Sequence, residues 1–353
     1  MKCLSFLFLA LLGCTANVRG ETYLIQPDGS GDHPTIQAAV HAASNGDVIM
    51  LASGVFTGNG NRDIEVIDKD VTIVSESGDP TQVIIDCQGS PGEEHWAFYF
   101  GGRDQVVDGI SMINGNVTSP GGFPGGGAVN TWSGSATFLN CVFTGNTAPR
   151  GGAIVAGYCE LNIVSCTFHD NAATQTCGSA LVTEGNTHAL LSNCIVAFGV
   201  GGSAFCSYGG DVELVCCDIY GNEGGNYVGP VSGQLGVNGN ISEDPLFCGT
   251  PGPEFDLRVH KDSPCVPFSP PNGDCDLIGA RPIGCGLDAI ACCVAQQCQL
   301  ATEEECISLG GDWMIDPLHL TCEPNPCLTP IQRTTWGEVK GLYRDWQSNG
   351  RDR

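Results

Sequence analysis

Four polar side chains stand at fixed distances from a repeated cysteine. Glu160 and Asp211 lie six residues before Cys166 and Cys217, and Asn162 and Glu213 lie four before them. Carboxylates in such a row have three chemical uses. They can hold Ca²⁺ through oxygen ligands, hydrogen-bond sugar hydroxyls, or act as an acid and base pair on a glycosidic bond. Arg150 is grouped with these four as a candidate binding residue, and the coil region's other bases are Arg62, Lys69, Arg103, Arg258 and Lys261. His169, Asp170, Glu184 and His188 decorate nearby strands or turns, and His95 with Trp96 forms a further candidate sugar contact. The competing reading is a solvated sheet face. Which reading holds depends on the elements that carry these residues.

Those elements repeat. Cys141, Cys166, Cys194 and Cys217 are spaced 25, 28 and 23 residues apart, and Ile110 fits the same slot. Phe138, Ile163, Leu191 and Leu214 lie three before the slot. Ala136, Leu161, Ala189 and Val212 lie five before it, and Phe143, Phe168, Val196 and Ile219 two after. Asn146, Asn171 and Asn222 follow at five after, with Gly199 interrupting the series. Each unit is preceded by a "GGAV"-like signature: GGAV at 126–129, GGAI at 151–154, GSAL at 178–181 and GSAF at 202–205.

A period of this length marks units that stack. Apolar alternation within each unit is strand periodicity, and the Gly, Asn and Asp between runs are turn residues. One coil per unit predicts an all-β fold, a right-handed parallel β-helix with coils about 4.8 Å apart. The apolar slots then point inward. The cysteines form a buried column of small hydrophobes, a structural role. Stacked Cβ atoms about 4.8 Å apart exceed the roughly 3.5–4.5 Å of a disulfide, so thiols are expected there. The asparagines are expected at left-handed turn positions, with amides bonding from coil to coil. Glu160, Asn162, Asp211 and Glu213 alternate with the inward residues and so point outward.

Composition narrows the function classes. The formal charge is -25, from 39 acidic and 14 basic residues, which excludes nucleic acid and anionic membrane as partners. Residues 1–20 read as a signal peptide: Lys2 precedes an apolar run too short to span a bilayer. The alternative within it is a lipobox-like "LLGC", which would anchor the chain through a lipidated Cys14. Either way the protein is expected to be secreted or at the cell surface, a monomer with no transmembrane segment.

The segment "TIQAAVHAA" at 35–43 predicts a helix with Ile36, Ala39, Val40 and Ala43 on one face, started by Pro34. Such a helix covers the open end of a solenoid. The whole stretch "YLIQPDGSGDHPTIQAAVHAASNGDVIMLASGVFTG" resembles the N-terminal cap of secreted pectate-lyase-like β-helix proteins. Downstream, "EDPLFCGTPGPEFDLRVHKDSPC" at 243–265 and "LIGA" at 277–280 are similar to the closing segment of bacterial parallel β-helix repeat proteins. The resemblance spans about residues 22–285 and implies the fold for 21–284. Its members include polysaccharide lyases and glycoside hydrolases. Motifs associated with those activities, "NTD", "GHG", "RIK" and "WIDH", are absent from this sequence.

Residues 285–327 change texture. Cys292, Cys293, Cys298, Cys306, Cys322 and Cys327 lie within 36 residues. In an exported chain this reads as a disulfide-rich module with 15 possible pairings, and no paired C-x-x-C knuckle suggests zinc. A short capped helix is expected over 302–311. The tail, 328–353, is basic and aromatic, fitting a frayed terminus or a docking signal. The expectation is a non-catalytic protein that binds glycan or matrix, with no cofactor unless Ca²⁺ occupies the outward strip. The alternatives are a polysaccharide lyase or glycoside hydrolase, and a purely structural surface or adhesion component.

Overall fold

A computed structural model describes residues 20–118, 125–175, 177–249, 256–286, 290–294, 297–301, 306 and 312–313. The apolar leader with Cys14, Cys322, Cys327 and the 328–353 tail lie outside the described residues. So does the helix expected over 302–311, apart from Cys306.

The chain divides into two compact units, Met1–Ser242 and Glu243–Arg353. The first is a parallel β-helix. One coil runs through Val129–Trp132, Ser135–Leu139 and Val142–Thr144. The next runs through Ile154–Gly157, Glu160–Val164 and Thr167–His169. Leu181–Glu184, His188–Ser192 and Ile195–Ala197 follow, then Phe205–Tyr208, Asp211–Val215 and Asp218–Tyr220. Each strand pairs in parallel with its counterpart one coil away, giving sheets of six, eight and seven strands.

The registers match the sequence columns. Ala136, Leu161, Ala189 and Val212 are consecutive partners, as are Phe138, Ile163, Leu191 and Leu214. Phe143, Phe168, Val196 and Ile219 form the third column. The Phe143 and Phe168 rings stack 4.6 Å apart at 7° between planes. The "GGAV"-like signatures turn the chain into the six-stranded sheet, where Val129, Ile154, Leu181 and Phe205 align. A Cβ on Gly152 there would lie 2.4 Å from the Ser179 carbonyl oxygen, so only glycine fits.

Cys141, Cys166, Cys194 and Cys217 are fully buried free thiols. They do more than fill space. Each Sγ lies near the carbonyl two residues earlier, Leu139 at 3.1 Å, Val164 at 3.3 Å, Ser192 at 3.2 Å and Val215 at 3.4 Å, and near one in the preceding coil, that of Val107, Phe138, Ile163 or Leu191. A small side chain with a weak donor suits a corner where a strand's last carbonyl faces inward. Burial pushes the Cys166 and Cys217 thiols well above their ordinary range.

The asparagine expectation needs one correction. Asn146, Asn171 and Asn222 are buried, but they are not the left-handed residues. That conformation falls one residue earlier, at Gly145, Asp170 and Gly221, and at Phe198 before Gly199. The preceding residue reverses the chain, which frees the Asn side chain to turn inward. Asn146 Nδ2 donates to Asn171 Oδ1 at 3.0 Å, and Asn171 Nδ2 donates to the Phe143 carbonyl at 2.9 Å.

The helix spans Ile36–Ala42, with Thr35 Oγ1 accepting from the Ala38 N–H at 3.2 Å. Ile36, Ala39 and Val40 are buried. Lys69 Nζ donates to the carbonyls of Val40, His41 and Ala43, satisfying the helix C-terminus with a positive charge.

The first unit ends at Ser242. Its last stacked strand is Asp218–Tyr220, joined by a bridge from Asp218 to Ile241. In the second unit, Val259–His260 pairs with Ile283–Cys285, and Cys248 is bonded to Cys285. An antiparallel pair, Ile290–Val294 with Gln297–Ala301, places Cys293 opposite Cys298. Cys292 is bonded to Cys306. Among the described residues no helix is long and apolar enough to cross a membrane.

Candidate functional site

The eight-stranded sheet carries the polar row on its outer side. Asp104, Ser135, Glu160, His188 and Asp211 share one register, and Thr137, Asn162, Leu190 and Glu213 share the next. Strand alternation sets this: Glu160–Val164 and Asp211–Val215 bury Leu161, Ile163, Val212 and Leu214, which turns the polar members out. His188 sits between the two carboxylates, and its Nδ1 lies 2.7 Å from Asp211 Oδ2. Ser135 Oγ donates to Asp104 Oδ1 at 2.8 Å. At the far end of the Asp104–Asp108 strand, in register with Leu139, burial raises the Asp108 carboxyl, opposed by a 3.0 Å bond from Asn140 Nδ2.

Arg150 does not join this row. Its Nη1 lies 2.7 Å from Glu184 Oε1, and its guanidinium sits 5.5 Å from the Tyr208 ring centroid. Glu184 and Tyr208 belong to the six-stranded sheet. Among the described residues of the first unit, the other arginines and the lysine also have partners. Arg62 donates to the Cys87 carbonyl, Lys69 caps the helix and Arg103 pairs with Asp70. His95 Nδ1 lies 2.7 Å from Asp63 Oδ2, while Asp63 Oδ1 accepts from the Trp96 N–H; this carboxylate ties His95 and Trp96 to the preceding coil. His169 packs edge-on against Phe198, and burial lowers its pKa. Among the described residues no group of three or more His, Cys, Asp or Glu side chains is arranged to hold a metal ion.

The six-stranded sheet presents a second outward feature. Gly101, Trp132, Gly157, Glu184 and Tyr208 are successive partners in one register. The Trp132 ring lies over Gly157, where a Cβ would come within 2.4 Å of it. Tyr158, the next residue, lays its ring over Gly185 in the same way, at 2.5 Å. The Trp132 and Tyr158 centroids are 5.5 Å apart. Tyr158 and Tyr208 remain 59% and 53% exposed. The disulfide Cys177–Cys206 lies at the same place, with Cys177 Sγ 3.8 Å from Tyr208 Oη. The result is a line of aromatic rings running along the solenoid, flanked by one ion pair. The sequence columns missed it, although Trp132, Tyr158 and Tyr208 each follow a "GGAV"-like signature by a few residues.

No family model matches the chain, and no curated protein matches it. Solved structures that match include two pectin methylesterases. A pectin methylesterase from carrot matches over 65% of this chain and 91% of its own, at 15% identity and a TM-score of 0.29. A pectin methylesterase from Aspergillus niger matches over 65% and 92%, at 14% identity and a TM-score of 0.30.

Proposed function

We propose that this protein is an exported, non-catalytic β-helix that binds an extracellular polysaccharide or matrix glycan. The observation that carries the reading is the aromatic line on the six-stranded sheet. Tyr158 and Tyr208 hold large rings in water on a rigid sheet. Such rings favour a partner that is apolar on one face and polar at its rim, as a pyranose is. The disulfides Cys177–Cys206, Cys248–Cys285 and Cys292–Cys306 support an oxidising compartment, hence export.

The polar row suits catalysis less well. Chemistry by β-elimination needs a base near the acidic sugar carbon and a cation for its carboxylate. Arg150, a candidate binding residue, belongs to Glu184 and Tyr208 instead. Purified full-length protein should co-sediment with insoluble polysaccharide or retain it in affinity electrophoresis. It should release neither unsaturated uronide nor new reducing ends from pectin or alginate, with or without Ca²⁺. Sustained product release, abolished by His188→Ala or Asp211→Asn, would replace this reading with a lyase or hydrolase. Absence of binding to every polysaccharide offered would leave a purely structural surface component.

A further inference from the structure

We infer that the aromatic line takes an uncharged glycan chain laid along the solenoid axis, with about one sugar per coil; this rests on the glycan-binding reading above. The first argument is strain. Tyr158 has φ +53°, in the left-handed region. The residues at the same corner of neighbouring coils are Gly102, Ser133, Gly185 and Gly209, all with positive φ. A bulky side chain is a genuine outlier there and costs about 1–2 kcal/mol relative to the ordinary helical region. Burial does not offset that cost, because the ring stays mostly in water. Folding alone therefore favours glycine at 158, and the tyrosine points to a partner outside the chain.

The second argument is room. The Trp132 ring lies over Gly157 and meets the Tyr158 ring of the next coil at 5.5 Å, and Tyr158 in turn lies over Gly185, so the rings step along the axis as one surface. Tyr158 and Tyr208 remain largely exposed on this line. Three coil steps of ~4.8 Å place Tyr208 about 14 Å from Trp132 along the axis, the span of a short oligosaccharide.

The third argument is charge. The cation on this line, Arg150, is already paired at 2.7 Å with Glu184, so the pair is close to neutral. The chain as a whole carries a formal -25. A carboxylated chain would meet repulsion here with no unpaired counter-charge on the line. An uncharged sugar meets C–H-binding ring faces, and the Arg150–Glu184 pair offers its hydroxyls both donors and acceptors.

The test uses the full chain with cellohexaose, xylohexaose and mannohexaose as uncharged probes and hexagalacturonate as the anion, followed by tryptophan fluorescence. At least one uncharged hexasaccharide should bind, with affinity rising up to about four sugars and little changed by 0.5 M NaCl. Hexagalacturonate should bind at least tenfold more weakly. Tyr158→Gly should weaken binding at least tenfold while leaving Tm unchanged or raised, an outcome a structural role for the ring forbids. Tyr208→Ala should weaken binding similarly. Tight, salt-sensitive binding of hexagalacturonate lost in Arg150→Ala would overturn the uncharged class but keep the glycan reading. Binding that survives both tyrosine changes and is lost in Glu160→Ala/Asp211→Ala would move the site to the eight-stranded sheet and sink the aromatic line. A lower Tm in Tyr158→Gly with unchanged binding would make the ring structural. No binding to any probe would defeat both the inference and the glycan reading.

Discussion

The column Phe143, Phe168, Val196 and Ile219 and the column Gly101, Trp132, Gly157, Glu184 and Tyr208 both follow one register from coil to coil. The first lies inside the solenoid and the second outside. Inside, each member is bounded by the member above and below, so residue type and size change slowly: two stacked phenylalanines give way to two aliphatic residues. The cysteine column behaves likewise, with one thiol per coil meeting a carbonyl of its own coil and one of the coil before. Outside, glycine, tryptophan and a carboxylate follow one another, and one corner holds a tyrosine in a conformation glycine prefers. Inner columns answer to neighbours within the chain. The outer column follows a looser rule, in which glycine makes room for a ring and a carboxylate meets a base.

This contrast has measurable edges. Truncating Phe168 to Ala should cost about 3–5 kcal/mol in urea unfolding, since it removes half of a stacked pair in a closed core. A near-neutral result would mean the inner columns are not where stability resides. The thiol column should show itself in alkali. Cys166 and Cys217 have raised pKa values in the folded chain because burial disfavours the thiolate. Folded and unfolded forms are both protonated below the unfolded thiol pKa of about 8.5, so this contribution is fully present there. Above it the unfolded chain ionises first, and the contribution of these two thiols falls as pH rises. Urea titrations at pH 7, 8.5 and 10 would show the slope, and Cys166→Ala/Cys217→Ala should flatten it. An unchanged slope in that variant would assign the alkaline loss to other groups. The smallest effect belongs outside: Glu160→Gln and Asp211→Asn should each shift stability by no more than about 0.5–1 kcal/mol, as for exposed charges. A loss above 2 kcal/mol would mean that the polar row supports the fold.

The inner columns could be read from the sequence because they need only a constant offset from Cys141, Cys166, Cys194 and Cys217. Between the eight- and seven-stranded sheets every corner in these coils has two residues, so the offsets −5, −3 and +2 never slip. The helix was legible for a local reason: Pro34 and Thr35 start it and its apolar face is regular. The aromatic line was not legible because its offset does slip. Two residues separate Gly157 from Glu160 and Tyr208 from Asp211, but three separate Glu184 from His188. That extra residue shifts Glu184 out of step with Trp132 and Tyr208 when counted back from the cysteine. The sheet that Arg150 meets was not legible for a related reason. This residue lies in a corner of variable length, where spacing carries no information about which sheet a side chain will meet.

That corner has a consequence for how such a molecule can change. From the seven-stranded back to the six-stranded sheet the chain uses nine residues after Thr144, eleven after His169 and seven after Ala197. The spread of repeat lengths is absorbed almost wholly there, while the pitch and all three sheets stay the same. Mechanically, the coil is a fixed gear with one slack link. A guest peptide spliced into that link would be displayed beside the aromatic line without disturbing the stack, and a duplicated coil would lengthen the molecule by one step with every inner column still in phase.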